Sequence, residues 1–224
     1  MHHKAIKKAL PPQWFDYATA LATEFANASK IAVRIKHTFA QWADGIGGGH
    51  LSAWLVSPLI KLIRSDNRHA PGHRSAAWGD MRRLEGFEFN ETYQPPAPGD
   101  MRCSLLHSSK SDQVLLKTSA FTADTFLTGQ VSRATHYKAG LLVAAVPLSL
   151  WERGRLFSAF TNSMVVDCRA VPSLQLLVDL LISEMPVLYC VALSVSFFRF
   201  AGSLSVPYRE GRKDLLRIVK AFCA

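Results

Sequence analysis

The chain has 224 residues, 49% of them hydrophobic and 19% charged, which excludes global disorder and supplies ample apolar material for a packed core. Its net charge of +9 is spread along the chain: residues 1–90 hold 12 Lys/Arg against 7 Asp/Glu, and residues 91–224 hold 14 against 10. That even spread speaks against a dedicated nucleic-acid module, which concentrates its charge on one face or tail.

At the start, Lys7 and Lys8 lead into Leu10-Pro11-Pro12-Gln13 and not into an apolar run, so no secretory signal is expected and a cytoplasmic location follows. From Phe15 to Phe39 the residues Phe25, Ala28, Ser29, Ala32, Ile35 and Phe39 recur three or four apart, which predicts a helix with one narrow apolar stripe. Gly45-Ile46-Gly47-Gly48-Gly49 lacks the preceding strand and the following Lys-Ser/Thr of a phosphate loop and predicts a turn between helices. A second helix is predicted over residues 51–64, with Leu51, Trp54, Leu55, Leu59 and Leu62 on its face. Ser57-Pro58 predicts a break inside it. Trp42 and Trp54 are expected to pack at the base of the helix pair or against the following domain.

Residues 65–83 are polar and rich in Arg, His and Gly. His69 and His73 have a helical metal-ligand spacing, but Pro71-Gly72 between them predicts solvated loop histidines. From Phe87 and Phe89 the period changes to two. After a loop at 94–99, short strands are predicted over residues 114–119, 135–146, 156–160, 164–169, 174–180, 187–200 and 216–222. In the strand over 187–200, Val191, Leu193, Val195 and Phe197 define a core face. Ala192, Ser194 and Ser196 define a solvent face. The apolar stretch from Leu174 to Phe200 is interrupted by Asp179, Glu184 and Pro186. Its clean part falls short of the roughly 20 residues that a spanning helix needs, so no membrane span is expected.

The fold expected is α+β: an N-terminal helical hairpin followed by an antiparallel β-sandwich-like domain. The division falls into a helical segment, 1–83, that is not independently stable, and a sandwich-like domain, 84–224.

Leu84-Glu85-Gly86-Phe87-Glu88-Phe89-Asn90 has the form Leu-x-Gly-Phe-x-Phe-Asn. It resembles the junction of an uncharacterised protein family of the Bacteroidetes, in which a helical segment precedes a β-rich domain. Thr23 to Lys30 and Ile60 to Asp66 resemble that family's helix landmarks. Ala134-Thr135-His136-Tyr137-Lys138, Ala192 to Phe198 and Leu216 to Lys220 resemble its strands. Residues 1–20 do not match the family's Gly-rich opening, so the chain looks shortened there. No catalytic residues are established for the family, and the resemblance carries none over.

The chain shows no Gly-x-Ser-x-Gly elbow, no His-Glu-x-x-His and no complete phosphate loop. His136 is the best single candidate base, with strand alternation placing it opposite Thr135 and Tyr137. Cys168, between Asp167 and Arg169, is the best candidate reactive thiol. Cys103, Cys168, Cys190 and Cys223 are widely spaced and expected as free thiols, with Cys190 buried. No catalytic residue, metal or cofactor is therefore assigned. The function expected is non-enzymatic, structural or protein-interacting, with an unidentified protein partner. The alternative is sequence-independent nucleic-acid binding through Arg64, Arg68, Arg74, Arg82 and Arg83.

Overall fold

The computed structural model describes residues 12–40, 50–90, 102–107, 113–122, 134–148, 157–160, 164–180, 186–201, 203–207 and 215–224. The turn at 45–49, the loop at 94–99 and Trp42 lie outside the described residues. Two helices lead the chain, α1 (Pro12–Ala40) and α2 (Leu51–Arg64), and they pack against each other. On α1 the buried side chains are Glu24, Ala28, Ile31, Ala32, Ile35, Thr38 and Phe39, a regular three-to-four spacing. Phe25, expected on the stripe, is 56% exposed; the buried position of that turn belongs to Glu24. On α2 the buried face is Leu51, Leu55, Val56, Leu59, Leu62 and Ile63. The expected break at Ser57-Pro58 does not occur: α2 runs through Pro58 as one helix. A proline forfeits a single i→i−4 bond, and the packed face on either side of it holds the two turns in line. Trp54, expected to pack at the base of the helices or against the following domain, is 45% exposed.

Nine strands follow among the described residues. They are β1 (Cys103–His107), β2 (Gln113–Thr118), β3 (His136–Pro147), β4 (Phe157–Phe160), β5 (Met164–Asp167), β6 (Gln175–Asp179), β7 (Val187–Ala201), β8 (Leu204–Pro207) and β9 (Leu215–Cys223). They form two antiparallel sheets. The smaller is ordered β1–β2–β6. The larger runs β4–β3–β7–β8, with β5 beside β4 along β3 and β9 beside β8 along β7. β3 and β7 pair over the whole of β3, from His136↔Phe198 to Pro147↔Val187. The junction residues form a single bridge, Glu88↔Arg217, on the outer side of β9. Three backbone bonds, Gly86 N to Ile218 O at 2.8 Å, Phe89 N to Leu216 O at 2.8 Å and Ile218 N to Phe87 O at 2.9 Å, tie the junction there.

The centre of the larger sheet, where β3, β7 and β9 run together, is buried on both faces. Tyr137, Leu141, Val143, Tyr189, Val191, Leu193, Val195 and Phe197 face the smaller sheet and meet Val114, Leu116, Leu174 and Val178. Leu142, Ala144, Val146, Leu188, Cys190, Ala192, Leu216 and Ile218 share a second core with both helices and with Phe89. The architecture is thus a two-sheet sandwich with a helix pair over the larger sheet's other face.

The expected solvent face of β7 is corrected accordingly. Ala192 is fully buried, and Ser194 and Ser196 are half-buried. The small side chains of Ala144, Cys190, Ala192 and Ala221 leave room for the bulky Ile, Leu and Phe residues of the helices, so smallness here reflects close packing and not exposure. The assignment of Val191, Leu193, Val195 and Phe197 to a core face stands. Leu193→Ala should cost about 2–5 kcal/mol by chemical denaturation, through lost burial and a cavity. Ala192→Leu should cost about 1–3 kcal/mol by overpacking the helix side. A neutral Ala192→Leu would mean that the helices do not rest on this face.

Candidate functional site

The Arg- and His-rich segment after α2 folds back from the end of α2 across the middle of α1, and two buried carboxylates hold it there. Glu24, on the inner face of α1, accepts from the Gly72 amide at 3.1 Å and from Arg64 Nε at 3.4 Å. Its other oxygen-to-cation contact is with Arg74 Nη1, at 3.7 Å. Asp66, just past α2, accepts from the amides of Arg68 at 2.9 Å and Ser75 at 3.0 Å, and pairs with His69 Nδ1 at 2.8 Å. Burial alone would raise the Asp66 pKa, but the Ser75 and Arg68 amides and the His69 ring outweigh it and hold the carboxyl down at about 2.

Glycine makes the fold-back sterically feasible. A Cβ on Gly79 would stand 2.2 Å from the Leu62 carbonyl oxygen at the end of α2. Gly72, at φ +86°, lies against Ala20 of α1. Ser65 completes the closure: its hydroxyl donates to Leu62 O and accepts from the Asp80 amide at 2.7 Å.

The five arginines singled out from the sequence are not assembled into one open patch. Arg64 and Arg74 share Glu24. Arg68 stacks over the Trp78 ring, 4.3 Å from its centroid. Arg82 grips Asp80 through Nε at 2.8 Å and Nη2 at 3.2 Å, and Arg83 lies 3.8 Å from the same carboxylate. Asp80's pKa is lowered chiefly by the Arg82 hydrogen bond, and Arg82's is raised by its reciprocal. Of the four that face a carboxylate, Arg82 and Arg83 remain the most open to solvent. His69 and His73 do not converge: His69 pairs with Asp66, while His73 lines a pocket.

That pocket, of about 200 Å³, lies between α1, α2 and residues 72–76. Ile31, Ile63 and Leu148 supply apolar wall, and Asn27, His73 and Arg74 supply polar groups. Arg74 Nε is buried without a hydrogen-bond partner. Glu24 and Asp66 stand close by and oppose a further anion, so this chemistry suits a water or a neutral acceptor. Among the described residues no three His, Cys, Asp or Glu side chains form a metal cluster.

His136 opens β3, and its Nδ1 lies 2.8 Å from Thr135 Oγ1. The expected separation of the two by alternation is corrected, because Thr135 precedes the strand and escapes its period. The His136 ring stacks with Phe198 at 5.9 Å and meets Phe200 edge-on at 4.7 Å, an aromatic setting. All four cysteines are free. Cys168 is half-buried. Burial pushes the thiol of Cys103 up to about 11 and that of Cys190 to about 12, and raises Cys223, which keeps these three protonated and unreactive.

Glu88 is the titratable group that sequence reasoning missed. It accepts from the Asn90 and Leu216 amides at 3.1 Å each, and its other oxygen lies 3.4 Å from Arg217 Nε, too poorly aligned to hydrogen-bond. Burial outweighs these stabilising neighbours and pushes the carboxyl up to about 7. An alternating Phe-Glu-Phe strand implied a solvent-facing glutamate, and only the bridge to Arg217 reveals otherwise.

The chain matches no protein-family model, and searches of curated proteins and of solved structures find no match either. No helix among the described residues is long and apolar enough to cross a membrane.

Two measurements test these carboxylates. Glu24→Ala strands the Gly72 amide and the Arg74 guanidinium, and should cost about 1–3 kcal/mol in a thermal or denaturant melt. Glu24→Gln, which keeps an acceptor, should cost less. For Glu88, the folded pKa near 7 lies above the ordinary 4.5, so its stabilising contribution is full below pH 4.5 and is lost as pH rises through 7. Relative to Glu88→Gln, the wild type should lose up to roughly 3 kcal/mol between pH 4.5 and 8. A pH-independent difference would show the carboxylate to be fully paired.

Proposed function

We propose that this chain is a non-enzymatic interaction protein whose contact surface is the outer face of the smaller sheet. The observation that carries this is a cross-strand apolar row. Leu106 of β1 lies opposite Leu115 of β2, which lies opposite Leu177 of β6. Leu106 is 56% exposed and Leu177 58% exposed, and Leu115 is half-buried between them. Scattered surface leucines are ordinary, but a contiguous row across every strand of a sheet is the kind of patch that a partner covers. The candidate catalytic groups support the same reading: the His136 ring is engaged by phenylalanines, and three of the four thiols have raised pKa values.

The +9 net charge and the exposed guanidinium groups of Arg82 and Arg83 favour one competitor, sequence-independent nucleic-acid binding. A photo-crosslinking side chain at position 177 should give covalent protein adducts in cells, whereas the same group at the exposed Lys30 of α1 should not. Absence of adducts at 177 overturns the reading. Duplex and single-stranded DNA should show no saturable binding at low salt. Binding that weakens linearly with log salt, and that Arg82→Ala and Arg83→Ala reduce, would transfer the function to nucleic acid.

A further inference from the structure

We infer that the partner seated on the smaller sheet is a second copy of this chain, related by a two-fold axis along the leucine row. This rests on the interaction reading above and follows from how charge is placed around the row. On one side of it lie Ser104, Lys117 and Gln175, which are cross-strand neighbours. On the other lie Gln113 and Asp179, also opposite one another and joined through Gln113 Nε2 to Asp179 Oδ1 at 2.5 Å. All of these side chains belong to the outward positions of their strands, since the intervening Val114, Leu116, Thr118 and Val178 are buried.

The apolar row is therefore flanked by a cation on one side and an anion on the other. A face of that kind is self-complementary under one operation. Rotation by a half-turn about the row keeps leucine on leucine and exchanges the two flanks. Each copy's Lys117 then lies over the second copy's Gln113–Asp179 pair, within reach of a lysine stem. A half-turn about the direction of the central strand β2 would instead set Lys117 on Lys117 and carry Asp179 away to the β1 side, which leaves the like charges opposed and the opposite charges apart. The contact is isologous, so it closes at two copies and leaves no face for further growth. Three leucines and their flanks form a small patch compared with what permanent dimers bury, so the association is a reversible one.

Sedimentation equilibrium of the full chain over a concentration series tests this. Wild type should show a reversible monomer–dimer equilibrium. Leu177→Glu should weaken it at least about tenfold, by burying unpaired charge in the row. Lys117→Glu alone and Asp179→Lys alone should each weaken it several-fold, and the double variant should restore an affinity within about threefold of wild type, because it re-forms the same pairs reversed. Circular dichroism and thermal melts identify any variant that fails to fold; all the substituted side chains point outward. A wild type that stays monomeric throughout, or a dimer indifferent to Leu177→Glu, overturns the inference. So does a double variant no better than the single ones. If the wild type is monomeric while position 177 still crosslinks to a different protein, the second copy is wrong and the interaction reading survives. Absence of both removes the two together.

Discussion

The β3–β7 ladder is the constraint on which the rest of the structure depends. From Leu141 to Val146 and from Leu188 to Leu193 its residues are apolar on both sides, so neither face tolerates water there, and two independent covers have to be found for it. One cover is a sheet, which brings bulky side chains to bulky side chains. The other is a helix pair, whose bulky side chains sit over small ones at the middle of β7. There the strand alternates, with Val191, Leu193 and Val195 towards the sheet and Cys190 and Ala192 towards the helices.

The cover made of helices needs a fastening of its own, since two amphipathic helices bury little surface between themselves. Glu24, midway along α1, and Asp66, just past α2, supply it. Between them they gather three backbone amides, two guanidinium groups and the His69 ring from residues 64–75, and so turn a polar segment into a strap across the two helices. Arg64 and Arg74 are spent on this strap, and Arg82 and Arg83 share Asp80, so the positive charge of the sequence overstates the positive charge available at the surface.

The helix-then-strand order, the helical hairpin, the extent of α2 and the bulky face of β7 were legible in the sequence because each rests on a periodicity local to its own segment. Where the physical cause is a neighbour far along the chain, the reading failed. Glu24 lost to Phe25 because hydropathy alone cannot anticipate a carboxylate buried against residues 40–50 positions later. Ala192 looked solvent-facing because close packing and exposure both select small side chains. β1 and β8 are four or five residues long and carry Ser, His or Pro, so neither rose above the noise of a short window. The leucine row was invisible for a deeper reason: its members come from three separate strands, and only their register places them side by side.

The bridge from Glu88 to Arg217 bears on the order in which the molecule can be completed. β9 has β7 on one side and residues 86–89 on the other, and the chain makes both before it makes β9. The last strand therefore enters a slot and does not extend an open margin. Until it does, β7 and the junction each present unpaired backbone, and the larger sheet is at its most vulnerable to joining the wrong chain. Once β9 is seated, both of its sides are occupied by the molecule's own backbone, and that route to misassembly is closed.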